Sequence, residues 1–203
     1  MQDLSLLQLA RVKGLLSSEA AADSLGVSSG ELLPLFEKFA ASEWLTTTPR
    51  GWRLTPIGRA ATTAMIDAER ATLDGAALQE VYGQFCEVNA ELKATITAWQ
   101  MRDANTPNDH TDGGYDQQVI ARLAALHRAA QPVLARISQL APRLGHFGER
   151  LERALGKVQA GDHSFVARPI TDSYHTVWFE LHEDLMAVTG LTRAEEAAAG
   201  RAQ

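Results

Sequence analysis

Signals that start and stop helices follow one another closely at the beginning of the chain. Apolar residues at helical spacing predict helices over Leu4–Gly14 and Glu19–Leu25, and Gly26 ends the second one. Ser28 and Glu31 have the spacing of a capping box, in which each side chain accepts a hydrogen bond from the other residue's backbone. The sequence therefore predicts three short helices in succession, the third of which opens at Ser28.

A short hairpin is predicted after the third helix. Trp44–Thr48 and Trp52–Thr55 have the composition of two strands, and residues 49–51 supply proline and glycine for the turn between them. Thr55 followed by Pro56 predicts the start of another helix, because a threonine hydroxyl caps a helix well and proline suits the first helical position. The predicted order is helix, helix, turn, helix and hairpin.

The segments AAADSLGVSSGELLPLFEKFAASEWL and GWRLTPIGR resemble the winged helix-turn-helix domains of bacterial regulators, including those of the MarR-like group. In those domains an alanine-rich second helix ends at a turn like LGV, and a segment like LTPIGR closes the wing. The resemblance implies DNA binding, with the third helix facing the major groove. The DNA-binding residues expected on this basis are Ser28, Ser29, Lys38, Arg50 and Arg53.

The residue types leave a second interpretation of this domain open. Base readout usually uses Arg, Lys, Asn or Gln at the start of the third helix, whereas serine and glycine stand there, and Glu31 and Glu37 would repel phosphates. Arg50 and Arg53 in the predicted wing suit phosphate contacts, or they simply solvate the surface. Winged helices also dock proteins or form dimers, and the fold alone does not decide between these roles.

Beyond residue 60 the sequence predicts helices only. Leu78, Phe85, Leu92 and Trp99 lie seven residues apart on one predicted helix, a spacing typical of helices that pack against neighbours. We therefore predict a mainly α fold in which residues 1–60 form a winged helix-turn-helix domain. Residues 61–203 are predicted to form an all-helical bundle for ligand binding, dimerisation or both.

The charge distribution limits the partners that the chain can attract. The formal net charge is −6, which argues against broad nonspecific attraction to nucleic acid or anionic membranes. Basic and acidic residues balance within residues 1–60, so the deficit lies in residues 61–203. The single cysteine, Cys86, excludes an internal disulfide, and no apolar run has the roughly 18 residues that span a bilayer. These features predict a cytoplasmic protein without a membrane partner.

One predicted helix, Thr171–Gly190, combines apolar residues with side chains that chemistry uses. His175 and His182 share one face with Trp178 between them. Because seven residues correspond to about 10.5 Å along a helix, the two histidines are too far apart to hold one metal ion together. The sequence also has no phosphate loop, nucleophile elbow or Cys-x-x-Cys motif. It therefore identifies no catalytic residue, no metal ligand and no cofactor.

A ligand pocket between helices is the more economical use of this helix. Aromatic side chains would line such a pocket and a few polar groups would orient the ligand. The predicted ligand-binding residues are Trp99, Gln100, His110, Tyr115, Tyr174, His175, Trp178 and His182. The alternative is that the aromatic residues belong to the core and that their polar atoms are satisfied there.

Two other groups of polar residues allow both a structural and a functional interpretation. The predicted loop Asp103–Gly114 is rich in Asn and Asp, which cap turns and helices, although His110 and the aspartates could also bind a metal or carry protons. Arg143, His146 and Arg150 share one face of a later helix, where they would either clamp an anion or lie in solvent.

The segments WQMR, NDHTDGGYD and SYHTVWFELHED resemble an actinobacterial family associated with phosphoenolpyruvate-utilising proteins; no residue role is carried over from it. The function predicted from the whole sequence is that of a ligand-responsive winged-helix transcription regulator. It would be a homodimer that binds DNA and a small-molecule effector. The alternatives are an accessory subunit that docks a partner protein, such as a phosphoenolpyruvate-utilising enzyme, and an enzyme that uses His175, His182 and nearby acids.

Overall fold

The computed structural model of the chain describes residues 2–198 and is mainly helical, as predicted. Its sheet, within those residues, has two strands. The helices are α1 (Gln2–Lys13), α2 (Ser18–Leu25), α3 (Ser29–Ala41), α4 (Pro56–Arg70), α5 (Gly75–Gln100), α6 (Gly113–Leu140), α7 (His146–Gln159), α8 (Ser164–Ala167), α9 (Tyr174–Thr189) and α10 (Arg193–Ala198), and the strands are β1 (Leu45–Thr48) and β2 (Gly51–Leu54).

The chain divides into two compact units. The first unit combines Met1–Gly75 with Glu180–Gln203, and the second is Ala76–Phe179. We predicted a domain boundary after residue 60, whereas the structure keeps the whole of α4 in the first unit. The reason is that α4 packs against both α1 and β2.

Local capping interactions fix the helices of the first unit. Ser17 accepts a hydrogen bond from the backbone of Ala20 at the start of α2, and Gly26 ends that helix in the left-handed region at φ 68°. The capping box that was predicted at Ser28 and Glu31 is present at the start of α3. These contacts depend only on neighbouring residues, which is why the sequence predicts them.

The hairpin is anchored to the helices by backbone and aromatic contacts. Leu45 pairs with Leu54 in an antiparallel register, and the backbone of Trp52 also exchanges hydrogen bonds of 2.8 and 2.9 Å with Leu16 in the segment before α2. The Trp52 ring stacks on Phe36 of α3 with ring centroids 5.0 Å apart. A second stacked pair joins α3 to the residue that precedes β1, since Phe39 and Trp44 have centroids 5.5 Å apart.

The inner face of α3 packs against the hairpin and leaves one leucine outside. Leu32, Phe36 and Phe39 are buried, but Leu33 is 50% exposed. The reason is helical geometry: successive residues are turned about 100° from each other, so Leu33 cannot face the same core as Leu32. An apolar side chain therefore lies on the outer surface of α3.

The predicted heptad stripe forms the core side of α5 in the second unit. Leu78, Phe85, Leu92 and Trp99 are all buried. Asn89 lies buried on the same helix, where its side-chain oxygen accepts a 3.0 Å hydrogen bond from the indole nitrogen of Trp178. This partner satisfies the amide oxygen in the interior.

The segment from α6 to α7 contains an internal proline and two buried arginines. Pro132 lies inside α6 and does not divide it into two helices. Arg143 and Arg150, for which exposure to solvent was one of two interpretations, are both buried. The Arg150 guanidinium has its Nε and Nη2 atoms 3.0 and 2.9 Å from one carboxylate oxygen of Asp172, which compensates its charge.

None of the helices described within residues 2–198 combines the length and the apolar character that crossing a bilayer requires.

The packing of α4 under the hairpin predicts a specific requirement for glycine. Replacing Gly58 by alanine should lower the free energy of unfolding by about 1–3 kcal/mol, because the added methyl group would lie 2.0 Å from the carbonyl oxygen of Trp44. Urea denaturation followed by circular dichroism measures this change.

Gly83→Ala is the matched control. Gly83 is exposed on α5 and an added methyl group would meet nothing within 4 Å. This substitution should raise the free energy of unfolding by about 0.5–1 kcal/mol, because glycine is entropically unfavourable inside a helix. A free energy of unfolding for Gly58→Ala that equals or exceeds the wild-type value would contradict the close contact at Gly58.

Candidate functional site

The hairpin and the start of α4 carry arginines whose side chains form no hydrogen bond or ion pair within residues 2–198. Arg50 lies in the turn and Arg53 on the outer face of β2, and Arg59 follows in the first turns of α4. All three side chains are exposed, and within residues 2–198 none forms a hydrogen bond or ion pair. Exposed guanidinium groups that no carboxylate neutralises are suited to contacts with phosphate.

The predicted base-reading residues of α3 are less available. Ser29 is exposed, but the Ser28 hydroxyl donates a 2.6 Å hydrogen bond to Glu31. Hydrogen bonds from the side chain and backbone of Ser28 lower the pKa of Glu31, which keeps a negative charge at the start of the helix. Lys38 forms an ion pair with Asp3. The outward face of α3 therefore offers little positive charge to DNA.

In the second unit, the loop between α5 and α6 builds a histidine–aspartate pair. The Nδ1 atom of His110 lies 3.0 Å from Asp116 Oδ2, and Asp116 is only 4% exposed. The other Asp116 oxygen accepts a 2.8 Å hydrogen bond from Asn108 Nδ2, which also donates to the Trp99 carbonyl at 3.0 Å. The buried carboxylate is thus held in place, and it orients the imidazole through Nδ1.

This arrangement defines the chemical character of His110. A neutral imidazole that donates its Nδ1 hydrogen to Asp116 keeps its lone pair on Nε2. Within residues 2–198 the Nε2 atom has no hydrogen-bond partner, and the side chain is 43% exposed. A carboxylate that accepts from Nδ1 fixes the orientation of the imidazole ring and leaves Nε2 directed outward from the pair. What the pair offers is an oriented and accessible hydrogen-bond acceptor.

Backbone geometry and ring contacts also hold His110. Its φ of 60° lies in the left-handed region, which histidine adopts more readily than most residues but at some cost. The imidazole lies against the Trp99 ring with centroids 4.4 Å apart, and His163 meets the edge of the same ring at 5.7 Å. The rings of His110 in the loop, Trp99 on α5 and His163 just before α8 therefore lie together.

The charges around His110 are mainly negative. Hydrogen bonds from neighbouring residues lower the pKa of Asp103, Asp109 and Asp112, so all three carboxylates are ionised at neutral pH. Arg102 offsets one of them through a 3.0 Å contact with Asp112. The field at this loop favours cations and hydrogen-bond donors over anions.

Two further predicted ligand-binding residues lie beside this group. The Tyr115 hydroxyl donates to the Ala98 carbonyl at 2.9 Å, and the Arg102 guanidinium lies 4.2 Å from the centre of the Tyr115 ring. Gln100 has an exposed side chain, and its backbone carbonyl accepts a 2.8 Å hydrogen bond from Asn108. Trp99, Gln100, His110 and Tyr115 are thus neighbours around one loop.

Tyr174 and Trp178 belong to a different part of the second unit. Both are fully buried, and the Trp178 ring stacks on Phe85 with centroids 4.8 Å apart. The Tyr174 hydroxyl lies 3.2 Å from His127 Nδ1, and burial followed by the charge of Glu152 raises the pKa of Tyr174. These aromatic side chains form core contacts.

The two histidines of α9 fall into different units. His175 is half-buried in the second unit, and this burial lowers its pKa. His182 is buried in the first unit. The eight predicted ligand-binding residues therefore comprise a group around His110, a buried aromatic group and these two histidines.

One polar cluster in the interior was not predicted. His127 connects the buried Tyr174 hydroxyl to the exposed Glu152, because its Nε2 atom lies 2.8 Å from Glu152 Oε2. His127 lies on α6, whereas Glu152 lies on α7 and Tyr174 on α9. No local spacing could have joined these residues.

Across residues 2–198, no group of three or more His, Cys, Asp or Glu side chains converges in a way that could hold a metal ion.

The chain matches no protein-family model, no curated protein and no solved structure. The geometry of the exposed arginines and of the loop around His110 is therefore the basis for interpreting function.

The histidine–aspartate pair predicts the tautomer of His110. Neutral His110 should carry its hydrogen on Nδ1, and Asp116→Asn should remove this preference because an amide can present a donor in place of the carboxylate. Side-chain ¹⁵N chemical shifts measured by NMR report the tautomer directly.

His146 supplies the internal control for that measurement. Its Nδ1 donates to the Arg143 carbonyl at 2.9 Å and does not depend on Asp116. Its ¹⁵N shifts should be the same in the wild type and in Asp116→Asn. A mixture of tautomers at His110 in the wild type would show that Asp116 does not orient the ring.

The half-buried His175 predicts a loss of stability in acid. A histidine whose folded pKa is lowered from about 6.5 binds protons more readily in the unfolded chain. The pKa difference therefore has no effect on the free energy of unfolding at high pH. It lowers that free energy as the pH falls below about 6.5. Urea midpoints at a pH of about 8 and about 5.5 should differ less in His175→Gln than in the wild type. An unchanged difference would contradict the effect of burial.

Proposed function

We propose that this protein is a winged-helix transcription regulator that contacts DNA mainly through its wing. The order of α1, α2, α3, β1 and β2, together with the backbone pairing of Leu16 and Trp52, is the order expected of a winged helix-turn-helix. The proposal depends most on one observation, namely that Arg50 and Arg53 of the hairpin are exposed and form no ion pair with any residue from 2 to 198.

The wing arginines are suited to the phosphate backbone. Each guanidinium can donate two parallel hydrogen bonds to a phosphate, and each contact releases counterions from DNA. Arg50 and Arg53 lie on one short hairpin, so both can contact phosphates along the same groove. Because the start of α3 carries Glu31 and an engaged Ser28, the proposal places phosphate binding at the wing and assigns little base readout to α3.

The second unit supplies the effector site in this proposal. His110 Nε2 is an oriented acceptor at an exposed edge, and Trp99 and Tyr115 provide aromatic surface beside it. An effector that binds one conformation better than another shifts the population of DNA-binding molecules. A homodimer would place two wings on one DNA site, as is usual for regulators with this type of domain.

The wing arginines predict a salt-dependent interaction with DNA. In gel-shift titrations of genomic fragments from about 50 to about 200 mM salt, the wild type should bind and lose affinity steeply. The double variant Arg50→Ala/Arg53→Ala should bind roughly tenfold or more weakly, since a hydrogen bond to a charged group contributes about 1.5 kcal/mol or more. The slope of log affinity against log salt should fall by about one for each phosphate contact removed.

Arg128→Ala is the matched control, because Arg128 is another exposed arginine without a partner within residues 2–198 and lies on α6. It should leave both the affinity and the salt slope unchanged. The absence of salt-dependent binding by the wild type, or an equal loss in the Arg128 variant, would refute DNA binding through the wing. The winged-helix domain would then be assigned to a protein-docking accessory subunit.

A further inference from the structure

The outward face of α3 carries an apolar stripe that no part of the described chain covers. Gly30, Leu33, Pro34, Glu37 and Ala41 are all exposed, and their spacing of three and four residues places them on one side of the helix. Four of these five residues are apolar or lack a polar side chain. Leu32, Phe36 and Phe39 fill the opposite face, so Leu33 and Pro34 form a second, smaller apolar surface on α3, beside the exposed side chains of Glu31, Glu37 and Lys38.

A leucine and a proline that lie together in solvent form a small apolar patch that a partner could cover. Leu33 alone would be unremarkable, because single exposed hydrophobic residues are common on protein surfaces. Here Leu33 and Pro34 lie next to each other with small residues one or two turns away on either side. Such a surface allows another helix to approach closely.

The charges beside the stripe indicate the kind of partner. Glu37 lies within the stripe and Glu31 beside it, and both are exposed. Within residues 2–198 Glu37 has no ion-pair partner, whereas the neighbouring Lys38 is already paired with Asp3. Glu19 on α2 adds another exposed carboxylate to the helix-turn-helix. The uncompensated charge beside the stripe is therefore negative.

Two other occupants fit this face less well. DNA would bring phosphates towards Glu31 and Glu37, and the stripe offers no donor to read a base edge. A second copy of α3, packed across a twofold axis, would bring one Glu37 towards the other. Like charges across an interface are unfavourable.

We propose that the outward face of α3 docks an amphipathic helix of a partner protein, whose apolar stripe covers Leu33 and Pro34 and whose Lys or Arg side chains pair with Glu37. This is a helix-in-groove type of recognition in which apolar anchors supply affinity and charges set specificity. The surface is distinct from the wing, so it does not depend on the wing binding DNA.

Two synthetic helical peptides with the same leucine pattern test the proposal on the full chain. One peptide carries lysines and the other glutamates at the flanking positions, and fluorescence anisotropy measures binding. The wild type should bind the lysine peptide at least roughly tenfold more tightly than the glutamate peptide. Glu37→Lys should reverse this preference, and Leu33→Ser should weaken binding of the lysine peptide by roughly tenfold, as is typical of a central apolar anchor.

Glu87→Lys controls for the overall negative charge of the protein. Glu87 is exposed on α5 in the second unit and, within residues 2–198, has no ion-pair partner. Circular dichroism should confirm that all three substitutions, which lie at exposed positions, leave the fold intact. Glu87→Lys should leave the preference for the lysine peptide unchanged.

Three outcomes would overturn the proposal. If Glu87→Lys and Glu37→Lys reduce binding equally, the peptide senses only the net charge. If neither peptide binds, or if Leu33→Ser has no effect, the stripe is not a docking surface. If the protein is a dimer that Leu33→Ser converts into a monomer, a second copy covers the stripe. None of these outcomes is decided by the gel-shift experiment, so the two proposals fail separately.

Discussion

Two stacked aromatic pairs determine what the first unit presents to its surroundings. Phe36 with Trp52 and Phe39 with Trp44 hold the hairpin and its approach against the inner face of α3. Because side chains alternate along a strand, placing Trp52 inward turns Arg53 outward. The same contacts use the inner face of α3 completely and leave its outer face uncovered. One packing arrangement thus creates both the cationic hairpin and the apolar stripe.

These two surfaces have different physical characters and need not share a partner. The hairpin offers exposed guanidinium groups on a narrow turn, and such groups suit contacts with phosphate. The stripe offers apolar area beside uncompensated carboxylates, a combination that favours a basic protein surface. A regulator that uses both surfaces would bind DNA and a protein through one small domain, and an accessory subunit would use only the stripe.

The sequence predicts those features that neighbouring residues determine. The end of α2 at Gly26, the cap at Ser28, the heptad stripe of α5 and the hairpin all depend on spacing within one segment. Burial of Arg150 could not be predicted, because its compensation comes from Asp172 beyond the end of α7. The candidate ligand residues show the same limit. Those around one loop lie together, whereas Tyr174 and Trp178 on α9 pack in the core. There their polar atoms form hydrogen bonds with residues that are distant in the sequence.

The discontinuous first unit has a consequence for the order in which the protein can fold. Lys13 of α1 forms a 2.6 Å ion pair with Glu180 of α9, and both side chains are largely buried. The second unit is a continuous segment that ends at Phe179. All its residues are therefore synthesised before Glu180. Until Glu180 emerges, the nascent chain must keep the Lys13 ammonium hydrated. The first unit is therefore completed only after the second unit has been synthesised.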